Sequence, residues 1–328
     1  MSIIEKAVDT LKSKPSSESS RDKNSPMRTH EPGADTVQRA AGMQVPQAAD
    51  VGFGAARQVD KCDAVSSAGA GQKLVNIPFD TLQHLGFLTP AIPRSVIADE
   101  YRTIKRPLLT NIASQSSVSI KNANLIMVTS ALQGDGKTFS SINLALSIAM
   151  EQDKTVLFVD ADTAKAEAGR VLGVPPDSPG LIDVLGNKGI GIGDVILKTN
   201  IEKLRIVPAG TVHAHSNELL ASDAMRRLMI ELSERYSDRV IVFDSPPLLL
   251  TTEAGVLANL MGQIVFVVGA ETTPEHAVTQ AMEHIGEDKT VGVVLNRARR
   301  HSKLFSYGYG YGYGYGYGNR NPQTVSGE

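Results

Sequence analysis

The chain has 328 residues, enough for one or two domains, with 41% apolar residues and no tryptophan. A net charge of −2 gives no global field that would draw it to nucleic acid. No apolar run approaches the ~18–20 residues of a membrane-spanning helix, and the single cysteine, Cys62, cannot form an internal disulfide.

Residues 1–74 are rich in serine, proline, alanine, glycine and charge, as in Lys14-Pro15-Ser16-Ser17-Glu18-Ser19-Ser20, and read as a disordered region. Charges inside residues 1–10 argue against a secretory leader, so a cytoplasmic location is expected. Ile3, Ile4, Ala7, Val8 and Leu11 have the spacing of one short amphipathic helix, or of a frayed terminus. Order is expected from Leu74. Phe79–Leu85 reads as a short helix, and Ser95 is placed to cap a second one, with Asp99 and Glu100 in its first turn. Pro107 is expected to end or kink that helix. On it, Asp99, Arg102 and Lys105 fall at i, i+3 and i+6, a spacing that a solvated charged face also produces.

The most informative stretch is Ser130-Ala131-Leu132-Gln133-Gly134-Asp135-Gly136-Lys137-Thr138. It follows the apolar run Leu125–Val128 and precedes an amphipathic run to Met150, giving strand, glycine loop and helix. Such a loop presents backbone N–H groups at a helix N-terminus, where the dipole favours an anion. Gly134 and Gly136 allow the backbone to close on phosphate oxygens. Lys137 is placed to reach the β- and γ-phosphates and the Thr138 hydroxyl to ligate Mg²⁺. The full phosphate-loop pattern has glycine six places before the lysine, where this chain has Ala131.

Five further apolar stretches of strand length follow, at 156–159, 204–207, 240–243, 264–268 and 291–295, separated by helical stretches of which 217–236 is the clearest. Continuous apolar runs alternating with helices predict an α/β fold of doubly wound type. Its sheet is mainly parallel, with helices on both faces. Ligands of such sheets bind beyond the carboxyl ends of the strands. There Val159 runs into Asp160-Ala161-Asp162, and Phe243 into Asp244-Ser245-Pro246-Pro247. Hard Mg²⁺ takes oxygen ligands and keeps several waters, so three acids on two strands beside a phosphate loop form a candidate metal environment. The tail alternates tyrosine and glycine, placing Tyr307, Tyr309, Tyr311, Tyr313, Tyr315 and Tyr317 in a flexible segment.

With the loop, the Asp-x-Asp, the Asp-Ser-Pro-Pro and the tyrosine cluster together, the region from about Pro93 to Asn296 resembles the bacterial tyrosine autokinases that regulate surface-polysaccharide export. The stretch 79–110, with Leu88-Thr89-Pro90 and Ile104-Lys105-Arg106-Pro107-Leu108-Leu109, resembles the branch found at exosortase and exopolysaccharide loci. The resemblance implies a P-loop NTPase type of fold, with a kinase domain at 75–300 between the disordered region and the flexible tail at 301–328. It implies ATP and Mg²⁺ as cofactors. Lys137 and Asp160 are the implied catalytic residues, Asp160 as the base that accepts the tyrosine proton. Gly134, Asp135, Gly136, Lys137, Thr138, Phe139 and Asn296 are the candidate nucleotide-binding residues, and Thr138, Asp162 and Asp244 the candidate metal set. The six tail tyrosines are the implied autophosphorylation sites. Asp99, Arg102 and Lys105 match a Glu-x-x-Arg-x-x-Arg helix that packs against a neighbouring subunit. Lysine in the last place lacks arginine's planar fork. Gln133 stands where proline is usual, and Thr163-Ala164-Lys165 where an arginine often follows the acids. The implied partners are a second copy of the chain, a transmembrane chain-length or co-polymerase protein and a cognate tyrosine phosphatase, with no nucleic acid. The implied location is peripheral, at the inner face of the cytoplasmic membrane. Two alternatives stay open. A partitioning or septum-positioning ATPase would carry a second lysine five places before Lys137, where this chain has Leu132. A nucleotide-sensing regulatory module would use the same loop and acids without transfer.

Overall fold

A computed structural model describes residues 74–114, 120–186 and 189–298. The expected disordered region apart from Leu74, Cys62, the stretch Ile3–Leu11 and the tyrosine–glycine tail lie outside the described residues.

The chain opens with β1 (Leu74–Val75), α1 (Phe79–His84) and α2 (Val96–Ala113). The phosphate loop joins β2 (Leu125–Ser130) to α3 (Lys137–Ala149), and β3 (Thr155–Asp160) follows. Short helices α4 (Glu167–Val171), α5 (Leu181–Gly186) and α6 (Ile192–Val195) lead to β4 (Leu197–Thr199) and β5 (Leu204–Val207). Then come α7 (Ser216–Leu220), α8 (Asp223–Arg235), β6 (Arg239–Asp244), α9 (Thr252–Leu260), β7 (Gln263–Gly269), α10 (Glu275–Met282) and β8 (Thr290–Asn296).

Among the described residues the strands form one sheet in the order β1-β4-β5-β3-β6-β2-β7-β8. Every pairing is parallel except β4 with β5. The central strands are buried on both faces, which is why they read as unbroken apolar runs. Side chains nevertheless alternate. Leu125, Met127, Leu157, Val159, Ile241 and Phe243 pack toward α5–α10, while Ile126, Val128, Val156, Phe158, Val240 and Val242 pack toward α1–α4. Strand β8 closes one edge and is only half-buried, with Leu295 exposed.

Three local expectations need correction. Of the two outcomes expected at Pro107, ending the helix is not the one observed: α2 runs on to Ala113 with Pro107 inside it. Both Pro107 and Thr103, whose carbonyl loses its i+4 donor, are exposed, so the freed oxygen is open to solvent. The stretch 217–236 is two helices, not one, because the Ser222 side chain accepts from the Met225 N–H and starts α8 afresh. Lys105 is buried rather than displayed beside Asp99 and Arg102. Its ammonium pairs with Glu151 at 2.7 Å and donates to the Ser147 carbonyl, so it ties α2 to α3. Asp99 and Arg102 remain exposed and pair with each other.

Candidate active site

The loop between β2 and α3 is held from four directions. Ser130 and Ala131 carbonyls accept from the Leu248 and Leu249 N–H groups beyond β6. The Asp135 carboxylate accepts from the Leu132 N–H at 3.1 Å and from the Thr273 hydroxyl at 2.6 Å. Thr273 in turn accepts from the Gly269 N–H at the end of β7. The Asn296 side chain, at the end of β8, donates to the Asp135 carbonyl at 2.8 Å, and its own oxygen accepts from the Arg297 N–H. Asp135 and Asn296, both candidate nucleotide contacts, thus use these side chains to brace the loop. Thr273, 138 residues from Asp135, left no signal in the sequence.

Backbone geometry explains which loop residues must be glycine. Gly134 and Gly136 have φ of +92° and +99°, a region that L side chains rarely adopt. A Cβ on Gly136 would also lie 2.0 Å from the Asn296 amide nitrogen. Ala131 has no positive φ and is fully buried in the core, so alanine serves at the position where the usual pattern has glycine.

Helix α3 begins at Lys137, directly after Gly136, so its free N–H groups point into the loop. The Lys137 ammonium pairs with Asp162 at 3.4 Å, both side chains being 5% exposed. Strands β3 and β6 are in register, Asp160 opposite Asp244, which brings the acids together at the carboxyl edge. Asp160 is fully buried; one carboxylate oxygen accepts from the Gly169 N–H at 3.0 Å and the other has no partner. Burial, and then the Asp244 charge, pushes its pKa well above the usual carboxylate range. Burial also pushes Asp244 up, to about 7, against the opposing pull of Lys137 and of the Thr138 and Ser141 hydroxyls. Neither Asp244 oxygen makes a hydrogen bond of normal geometry.

Buried carboxylate oxygens without partners, beside a hydroxyl at a helix N-terminus, suit a hard cation. Thr138, Asp162 and Asp244 would hold Mg²⁺ there, directly or through water, together with phosphate oxygens. Among the described residues no group of three or more His, Cys, Asp or Glu is placed to hold a metal ion by itself.

In front of α3 lies a cavity of about 330 Å³ lined by Gly134, Gly136, Lys137, Thr138 and Phe139, with Lys165 and Arg297 at its rim. Neither Lys165 nor Arg297 forms an ion pair among the described residues. The remaining wall is Leu85, Phe87, Glu167 and Val171. Phe87 and Phe139 pack with ring centroids 4.8 Å apart. No periodicity in the sequence marks Phe87 as a site residue, because it sits in the short turn after α1. Asp99 and Arg102 are not among the residues gathered around the loop.

A family model described as an AAA domain matches residues 123–288. Tyrosine-protein kinase YwqD of Bacillus subtilis (strain 168) is 31% identical over 220 residues, which cover 66% of this chain and 88% of that protein. The kinase domain of the Escherichia coli tyrosine kinase ETK aligns with a TM-score of 0.55 at 27% identity, over 72% of this chain and 94% of that one. The chimerical protein CapA2B2 aligns with a TM-score of 0.56 at 27% identity, over 69% of this chain and 93% of that one.

Proposed function

The chain belongs to the bacterial tyrosine-protein kinases, and from that premise we propose that it transfers the γ-phosphoryl group of ATP to tyrosine hydroxyls, those of its own tail included. The observation that carries the reading is the meeting of Lys137, Thr138 and three buried acids at one sheet edge.

A phenol has a pKa near 10 and is almost wholly protonated at neutral pH. Its oxygen attacks the γ-phosphorus as the bond to the β–γ bridging oxygen breaks, ADP leaves, and the phenolic proton passes to a carboxylate. We assign that base to Asp160, whose second oxygen is free of partners. A positioned base contributes typically ~10²–10⁴-fold. Lys137 and the α3 amides orient and neutralise the γ-phosphoryl. Mg²⁺, held by Thr138, Asp162 and Asp244, would supply further neutralisation of the phosphate charge.

The acceptors are Tyr307, Tyr309, Tyr311, Tyr313, Tyr315 and Tyr317, reached in a neighbouring copy of the chain. The exposed pair Asp99–Arg102 on α2 is the surface offered to that neighbour. No helix among the described residues is long and apolar enough to cross a membrane. In this reading placement at the membrane comes from a transmembrane co-polymerase partner, with a tyrosine phosphatase reversing the modification and polysaccharide polymerisation or export as the regulated process.

The test is purified protein with Mg-ATP, read by phosphopeptide mass spectrometry. Phosphotyrosine is expected on the tail, absent in Lys137→Ala and strongly reduced in Asp160→Asn despite retained ADP binding. Undiminished transfer in Asp160→Asn would place the base elsewhere; undiminished transfer in Lys137→Ala would refute the site.

A further inference from the structure

The cavity in front of α3 has two unlike ends. One is the phosphate loop, with Lys137 and Thr138; the other is an apolar wall of Leu85, Phe87, Phe139 and Val171. Its volume lies at the small end of the range for small-molecule sites. The acids that an acceptor hydroxyl has to meet, Asp160, Asp162 and Asp244, do not line it.

We propose that this apolar wall is the shelf on which the base of the bound nucleotide rests, with the turn after α1 supplied by the same chain as a built-in clamp. The inference rests on the nucleotide-binding reading of the loop. Phosphates seated on the α3 amides leave the nucleoside to occupy the rest of the cavity. Phe139 follows Thr138 directly, so its ring stands beside the phosphate seat, and Phe87 packs against it at 4.8 Å.

Both rings are held in advance of any ligand. Fully buried Asn143 accepts from the Leu88 N–H at 2.7 Å and donates to the Phe139 carbonyl at 2.8 Å, so one amide fixes the residue next to one ring and the backbone of the other. Leu88 and Thr89 are buried behind them. Leu85 is 59% exposed and lines the cavity, so its side chain is open to a ligand there. A flat π-surface matches this lining, and a wall ordered beforehand loses little entropy on binding. Residues 79–88 precede the matched AAA domain, which starts at 123. The shelf is therefore half domain and half N-terminal extension.

The experiment uses the full-length protein with Mg²⁺ and compares ADP with inorganic tripolyphosphate by calorimetry. Leu85→Ser and Phe87→Ala are expected to weaken ADP about tenfold, the scale of a lost base–aromatic stack. Tripolyphosphate, which has no base, should bind them as it binds wild type. Retained tripolyphosphate binding also shows that the variants are folded, and Phe87→Tyr should restore ADP binding. Unchanged ADP affinity in both variants overturns the shelf. So does unchanged ADP affinity with weakened binding of a Tyr-Gly repeat peptide, which would make the wall an acceptor site. Wild-type protein that binds neither ADP nor tripolyphosphate refutes the phosphate-loop reading itself, and the shelf with it.

Discussion

At the scale of single residues, the site is a set of charges and strained backbone positions held by neighbours that do no chemistry. Gly136 shows the constraint most sharply, because its φ of +99° and the Asn296 amide each exclude a side chain. Gly136→Ala should cost ~1–3 kcal/mol of stability from the backbone alone and lose ADP binding, measured by thermal melting and calorimetry. A variant that melts and binds like wild type would show that the loop relaxes freely. Asp244 carries a pH signature. Its folded pKa of about 7 exceeds the ordinary value of 3.8, so between those values the folded state holds more protons than the unfolded one. Stability of the nucleotide-free, Mg²⁺-free protein should therefore be highest below that window and decline as pH rises from about 4 to 7. Asp244→Asn should flatten this part of the profile and be the more stable form at pH 8. Denaturant melts at several pH values check both statements; a steeper decline in the variant would contradict them.

At the scale of elements, α2 and α3 are joined by a buried charge as well as by apolar packing. Removing one partner of a buried pair costs ~3–5 kcal/mol when fully desolvated; Glu151 is 26% exposed, so Lys105→Ala should fall near or below the lower figure. Lys105→Met keeps the volume but still strands Glu151, so it should recover only the packing part of the loss. If Lys105→Ala leaves the denaturation midpoint unchanged, the pair does not anchor α2. In the sequence Lys105 groups with Asp99 and Arg102, because i, i+3, i+6 spacing suggests one face. Six residues exceed one and a half turns, and the long lysine stem swings toward α3 instead. Elements of the sheet were far more legible, since burial on both faces forces continuous apolar runs at 125–128, 156–159, 240–243 and 264–268. The motif residues Lys137, Thr138, Asp160, Asp162 and Asp244 were legible because strand ends and a helix start must share one edge. Thr273, Asn143 and Phe87 were not, because each acts through a contact between loops or helices distant in sequence. Strand β4, between β1 and β5, left no signal either; with three residues it is too short to show a period.

For the whole molecule, the proposed modification is large compared with the charge already present. Each phosphotyrosine adds about −1.5 to −2 at pH 7. Six such groups add about −9 to −12 between Tyr307 and Tyr317, against a whole-chain charge of −2. An unmodified tail is neutral over that stretch and can approach the acids of a neighbouring subunit. The groups of a phosphorylated tail repel one another at a spacing of two residues, and a tail carrying that much negative charge is a poor occupant of a site that is itself lined with acids. Copies held together in part by a tail in a neighbour's site should then separate. Screening acts over ~8–10 Å near physiological ionic strength, so salt should blunt the effect for the exposed groups. Light scattering of the unphosphorylated and fully phosphorylated protein, beside a variant with all six tail tyrosines changed to phenylalanine, reads the outcome. The unmodified protein and the phenylalanine variant should be the larger species at low salt, and the phosphorylated protein the smaller. A phosphorylated form that stays as large as the unmodified one at low salt would leave the tail as a carrier of phosphate rather than a control on assembly.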